Sequence, residues 1–273
     1  MSKTIQDHIT DALEELTERD LKKFKTKLCD RPGEPKIRKG VIETAEPADL
    51  AHKIVRTYTE CKAAPVTVEV LQAIDENQIA EELRQNTIAY CIYGDVMMIE
   101  TTGALEETAK QNNLTVNGVS ASCKMAEQDL SRLNDYKDII VRVGKRKQMD
   151  PAVISAIISR QSRAGAVLKN GWGDCENAFG LMQVNKLYYT PEAEWNSEEH
   201  VAQGTQILID FIIRIKIKFP NWPKEHWFKG GIAAYCAGDG NVESYEKVDD
   251  HTPGKDFAND VVARAQWYKK NGF

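Results

Sequence analysis

The 273-residue sequence has no uninterrupted apolar run long enough to cross a membrane; its most apolar stretch, around Ile207 to Phe219, is broken by Asp210, Arg214, Lys216 and Lys218. The opening segment M-S-K-T-I-Q-D-H-I-T-D-A-L-E-E-L places acidic and polar residues where a secretory signal needs apolar ones, so a classical signal is not expected. The six cysteines (Cys29, Cys61, Cys91, Cys123, Cys175 and Cys236) form no CxxC and no Cys/His cluster, which leaves a structural zinc site without support. Without a signal, free thiols in a reducing compartment are expected rather than three disulfides. Neither sign of charge dominates: the net charge is -5 with 28% charged residues, so no general polyanion-binding surface and no nucleic-acid module is expected. Nor does the chain contain a low-complexity tail, an internal repeat or a long Gly/Ser linker.

What is present is enough chain for two modest domains. Over the first 85 or so residues, Ile5, Ile9, Ala12, Leu13 and Leu16 recur at helical spacing and predict one amphipathic helix. Thr17 opens T-E-R-D, in which its hydroxyl can cap a second helix and Asp20 can answer from the third position; Leu21, Phe24 and Leu28 give that helix its apolar face. Asp30 to Gly40, with Pro32, Gly33, Pro35 and Gly40, reads as an irregular exposed loop. Further short helices are expected at about 47–59, 65–74 and 77–84. No catalytic cluster is visible in this half, and the run Lys22, Lys23, Lys25, Lys27 reads on composition as a solvated helix face.

The segments L-T-E-R-D-L-K-K-F-K-T-K-L, R-P-G-E-P-K-I-R-K-G, A-D-L-A-H-K-I-V and V-T-V-E-V-L-Q-A-I-D-E-N-Q-I-A-E-E-L are similar, in order and charge placement, to the successive helices of a pyrin domain. The resemblance covers about residues 1–88. It implies a six-helix bundle of the death-fold superfamily that associates with other pyrin domains, or with itself, through opposed charged surfaces. On that resemblance Lys22, Lys23, Lys27 and Lys39 are candidate basic contacts, and Glu14 and Asp49 candidate acidic ones.

The pattern changes near residue 89, where a junction is placed. Ala126, Leu130, Leu133, Ile140 and Val143 suggest one helix through M-A-E-Q-D-L-S-R-L-N-D-Y-K-D-I-I-V-R-V-G. P-A-V-I-S-A-I-I-S-R predicts a buried helix starting at Pro151, with Arg160 and Gln161 emerging at its end. G-W-G-D-C-E-N-A-F-G-L-M-Q-V-N then mixes turn-forming glycines with Trp172, Phe179, Asp174, Glu176, Asn177, Gln183 and Asn185, a composition suited to a polar floor between aromatic walls or to a structural loop.

I-I-S-R-Q-S, L-K-N-G-W-G-D, N-A-F-G-L-M-Q-V-N, G-G-I-A-A-Y-C-A-G-D-G-N-V and A-N-D-V-V-A-R-A-Q-W-Y-K resemble consecutive motifs of goose-type lysozyme over about residues 93–273. The resemblance implies a mainly helical domain and hydrolysis, with inversion, of the β-1,4 link between N-acetylmuramic acid and N-acetylglucosamine in peptidoglycan. It also implies a general acid at the position of Gln161. A carboxylic acid is required there to protonate the departing sugar oxygen, which an amide cannot do. The position linked to water activation is Asn185, again an amide; Asp174 keeps a carboxylate that the family also links to the water or the charged transition state. Tyr235 retains a supporting tyrosine, and Cys236 stands where the family motif has asparagine. Asn177, Phe179, Gln183 and Cys236 are the candidate sugar contacts.

The expectation is therefore an all-α chain with an interaction domain at 1–88 and a lysozyme-like domain at 89–273. Its expected role is that of a cytoplasmic pseudoenzyme of innate immune signalling that binds muramyl glycans and assembles through pyrin contacts. A weak muramidase using Asp174 and Glu176, and a non-catalytic protein scaffold, are the alternatives. No metal or organic cofactor, no nucleic acid and no membrane insertion is expected.

Overall fold

The computed structural model describes residues 4–32, 35–87 and 93–273, apart from the side chains of 59–61, 85 and 86; the junction near residue 89 and Cys91 fall outside it. The chain divides into two compact units, Met1–Ala89 and Tyr90–Phe273. Each has a core of its own. Apart from one small sheet, the regular structure is helical.

In the first unit, α1 (Ile5–Glu14) is opened by a reciprocal box in which the Asp7 N–H donates to Thr4 Oγ1 at 3.1 Å and the Thr4 N–H donates to Asp7 Oδ2 at 2.8 Å. The cap expected at Thr17 starts α2 (Glu18–Asp30), the Asp20 N–H donating to Thr17 Oγ1 at 3.2 Å. Asp20 does not return a bond to the Thr17 N–H as expected. Its carboxylate instead accepts from the Thr17 hydroxyl at 2.6 Å and from Lys23 at 2.7 Å.

Ile9, Leu13, Phe24 and Leu28 are buried together with Leu50, Ile54 and Leu71. The loop ends earlier than expected, since Lys39 and Gly40 already belong to the single-turn helix α3 (Lys39–Ile42), which Ile42 pins to the core. The two helices expected at 47–59 and 65–74 form one run, α4 (Pro47–Gln72), with Pro65 inside it. Proline removes the bond its own nitrogen would have made and its ring crowds the carbonyl four residues back; burial of the flanking Ala63, Ala64 and Val66 holds the segment helical despite this. α5 (Asn77–Thr87) follows after a turn at Asp75. In chain order the short α3 is thus the third helix of the expected bundle, the fourth and fifth are continuous, and α5 is the sixth.

The second unit begins its helices with α6 (Glu106–Gln111). The single helix expected over 126–143 is two, α7 (Gly118–Asn134) and α8 (Lys137–Lys147), because the chain turns at Asp135 and Tyr136 while the apolar spacing carries on. α9 (Pro151–Ser162) is buried from Pro151 through Ser159, with Asp150 capping it by accepting from the Ala152 N–H at 3.0 Å. It is the central helix, enclosed by α7, α8 and α12 (Phe257–Lys270), while α10 (Glu198–Lys218) packs on α8 and on α11 (Lys224–Ala237).

A ladder of buried charges locks α9 to its neighbours. Arg264 makes a two-pronged pair with Asp260 at 3.0 and 2.8 Å and donates to Ser159 Oγ at 2.8 Å; Ser159 in turn donates to Asp129 Oδ2 at 2.8 Å. Arg160 reaches Asp256 at 3.2 Å and Asp260 at 3.0 Å. Removing one member would strand an uncompensated buried charge, at a cost of about 3–5 kcal/mol.

Candidate functional site

α9 stops where the chain takes left-handed backbone at Arg163 (φ 52°) and Ala164 (φ 53°), leaving Gln161 half-buried on its final turn. The next residue binds the following element directly: Ser162 Oγ donates to the Leu181 carbonyl at 2.8 Å and accepts from the Gly165 N–H at 3.1 Å. That element is a three-stranded antiparallel sheet, β1 (Trp172–Gly173), β2 (Ala178–Phe179) and β3 (Val184–Asn185), in the order β1-β2-β3. The segment that reads as a polar floor between aromatic walls or as a structural loop contains three strands of two residues each. The register sets Gly173, Ala178 and Asn185 in one row and Trp172, Phe179 and Val184 in the next. Asp174, directly after Gly173, and Asn185 consequently come to the same end of the sheet, while Trp172 and Phe179 meet as tilted rings 4.7 Å apart.

The hairpin 178–185 is held from three helices. The Tyr235 hydroxyl on α11 donates to the Met182 carbonyl at 2.6 Å, and the Met182 N–H donates to His200 Nε2 on α10 at 3.2 Å. Ser162 on α9 is the third tie. Tyr235 is therefore a brace in this state, and burial raises its phenol far above the usual range. His200 is wholly buried, with Nδ1 unpartnered, and burial lowers it to about 4, so the ring is neutral at pH 7.

Several expected sugar contacts have work inside the hairpin. Gln183 Nε2 donates to the Gly180 carbonyl at 2.8 Å, and the amide lies over Gly173, where a Cβ would stand 2.3 Å from its oxygen. Asn185 Oδ1 accepts from the Leu187 N–H at 2.9 Å, closing a turn that leaves Leu187 and Tyr188 projecting, 71% and 78% exposed. Phe179 sits edge-on to His200 with ring centres 5.8 Å apart, and Asn177 is half-buried with its carbonyl accepting from Lys186. Asp174, Cys175 and Glu176 are exposed and follow one another with φ of 46°, 51° and 64°, a run of left-handed backbone that L-residues rarely take. Cys236 is half-buried beside Tyr235, and burial pushes its thiol up to about 11; the neutral thiol is a weak donor and a poor nucleophile at neutral pH. The four described cysteines, Cys29, Cys123, Cys175 and Cys236, are free thiols.

Sequence reasoning passed over His200, Trp195 and the charge ladder. Trp195 fills the space over Gly165 and Gly171, where a Cβ would lie 2.9 and 2.5 Å from it. Asp256, just before α12, and Asp260 and Arg264 within it, at successive four-residue steps among Phe257, Val261, Val262 and Ala265, were the available signal for the ladder.

On the first unit, Lys22, Lys23 and Lys27 lie exposed along α2, Lys39 opens α3, Glu14 ends α1 and Asp49 is in the first turn of α4, all exposed. Lys22 and Lys39 share the wall of a cleft of about 500 Å³ between α2 and α3. Among the described residues no helix is long and apolar enough to cross a membrane, and no group of His, Cys, Asp and Glu is placed to hold a metal ion.

The second unit is thus a helical frame around α9 with a small sheet pinned to its last turn, the arrangement expected of a lysozyme-like domain. A family model described as lysozyme g matches residues 93–272, and the chain belongs to the lysozyme g family. A second model, the PAAD/DAPIN/Pyrin domain, matches residues 8–81. The chain is 59% identical to lysozyme g of Cyprinus carpio over 67% of its own length and 98% of that protein's. Against lysozyme g of Gallus gallus it is 54% identical over 66% of itself and 86% of the relative. Against lysozyme g-like protein 2 of Homo sapiens it is 41% identical, over 66% and 82%.

Proposed function

We propose that the chain is a pyrin-linked pseudoenzyme: a lysozyme g domain that keeps the shape of a muramyl-glycan groove but lacks its proton donor, joined to a domain that assembles through pyrin contacts in cytoplasmic innate immune signalling. The observation that carries the reading is the amide of Gln161 on the last turn of α9, the position the goose-type resemblance gives to the general acid. The surrounding ties, Ser162 to Leu181 and Tyr235 to Met182, support a groove that remains built. Asn185 supports the same reading: its amide oxygen accepts from the Leu187 N–H, and an amide has no carboxylate basicity to draw a proton from water. Asp174 alone cannot supply the separated acid and base that inversion requires. Peptidoglycan fragments are the proposed ligand, and other pyrin domains or further copies of this chain the proposed partners.

Release of reducing ends from purified peptidoglycan, alongside co-sedimentation with it, separates the readings. The unaltered chain should bind without turnover. Gln161→Glu should raise turnover by about 10²–10⁴-fold, the worth of a positioned general acid, with Asn185→Asp adding to it. Robust turnover by the unaltered chain would favour a weak muramidase using Asp174 and Glu176, and absence of both binding and turnover a protein scaffold. In the same preparations Lys22→Glu should abolish self-association by sedimentation if α2 carries the basic contact.

A further inference from the structure

The first unit has a second concave surface, a cleft of about 470 Å³ between α2 and the turn joining α4 to α5. One wall is a single face of α2, carrying Arg19, Lys22, Lys23, Thr26 and Lys27; the other is Ala73, Ile74 and Asp75. Positions 19, 22, 23, 26 and 27 follow the three- and four-residue steps of one helical stripe, so four cations are stacked as immediate neighbours. Such like-charged pairs weaken a helix. Only Lys23 has a carboxylate in ion-pair contact among the described residues, Asp20 at 2.7 Å.

The neighbouring cleft makes the contrast. Its Lys22, Lys25 and Lys39 face Glu18, Glu43 and Glu46, three cations against three carboxylates, so it neutralises itself. The α2/α4–α5 cleft sets Arg19, Lys22 and Lys27, beside a Lys23 already paired with Asp20, against Asp75, in a chain whose net charge is -5; Lys22 lies between the two clefts and lines both. Its lining contains no aromatic ring on which a nucleobase could stack. Lysine ammonium groups act on phosphate as point charges and impose no planar fork.

We infer that this cleft binds a compact polyphosphate, recognised through clustered phosphate groups without a base. Lys22, Lys23 and Lys27 are also the proposed pyrin contacts, so the inference is tested on monomer, where those contacts are not made.

The test is calorimetric titration of inorganic tripolyphosphate into the full chain at fixed ionic strength, at a dilution where sedimentation finds monomer. Saturable one-to-one binding with half-saturation below about 1 mM is expected. Lys22→Ala/Lys27→Ala should weaken it at least about tenfold, Arg19→Ala should weaken it less, and Lys145→Ala, on α8, should leave it unchanged. These positions are exposed, and far-UV circular dichroism of each variant checks that its helices are intact. Absence of saturation, equal binding by the double variant, equal loss in Lys145→Ala, or reproduction of the heat by sulfate at matched ionic strength would each overturn the proposal. Because the titration is made on monomer, failure of assembly leaves its outcome unaffected.

Discussion

At the scale of single residues, the ionisation of His200 is coupled to the hairpin that carries Gln183 and Asn185, since its Nε2 can accept from Met182 only while unprotonated. An unfolded histidine takes its proton near 6.5; in the fold burial lowers this to about 4. Between those values the unfolded state holds more protons, so stability is full above about pH 6.5 and falls as the pH drops towards 4, by about 3 kcal/mol in total. Urea titrations of the chain across this range should give that slope for the lysozyme-like unit, and His200→Gln, which keeps an acceptor but cannot titrate, should flatten it. Nothing in H-V-A-Q-G-T-Q marks His200 in advance, because a histidine in the first turn of a helix reads as exposed until the hairpin is laid over it. Gln161 and Asn185 stand out in the sequence by contrast only through the goose-type resemblance, in which each departs by one residue from the motif it sits in.

At the scale of elements, the same hairpin turns on Gly180, at φ 77°, where a Cβ would lie 2.2 Å from His200 Nε2. Gly180→Ala combines strained backbone with a collision against a ring that has nowhere to go, so a loss of about 3 kcal/mol or more is expected from the two effects. Chemical denaturation of the second unit measures it, and a loss below 1 kcal/mol would mean the ring relocates easily. The helices that could be read in advance were those with a cap or an unbroken apolar stripe, such as α1, α2 and α9. The missed features have physical reasons. Strands of two residues are too short for alternation to register, so β1 to β3 read as a loop. The break between α7 and α8 is hidden because Leu133 and Ile140 stay in phase across it, and Pro65 signals a new helix although burial on both sides keeps the old one going.

At the scale of the whole molecule, two cores that share no residue predict two folding units. Residues 1–89 and 90–273 expressed separately should each give a cooperative thermal transition and the helical circular dichroism of its part of the chain. A shorter piece that melts without a transition in either half would mean that the core extends across the boundary.

Carrying both units on one chain has a further consequence. If first units stack on one another, every added chain brings one more of the proposed glycan grooves to the same body, and a glycan strand repeats its disaccharide along its length. A second groove then binds at an effective concentration set by the tether rather than by bulk solution, and avidity can exceed single-site affinity by about 10²–10⁴. On the proposed function, a groove without turnover would leave such a multivalent hold uncut.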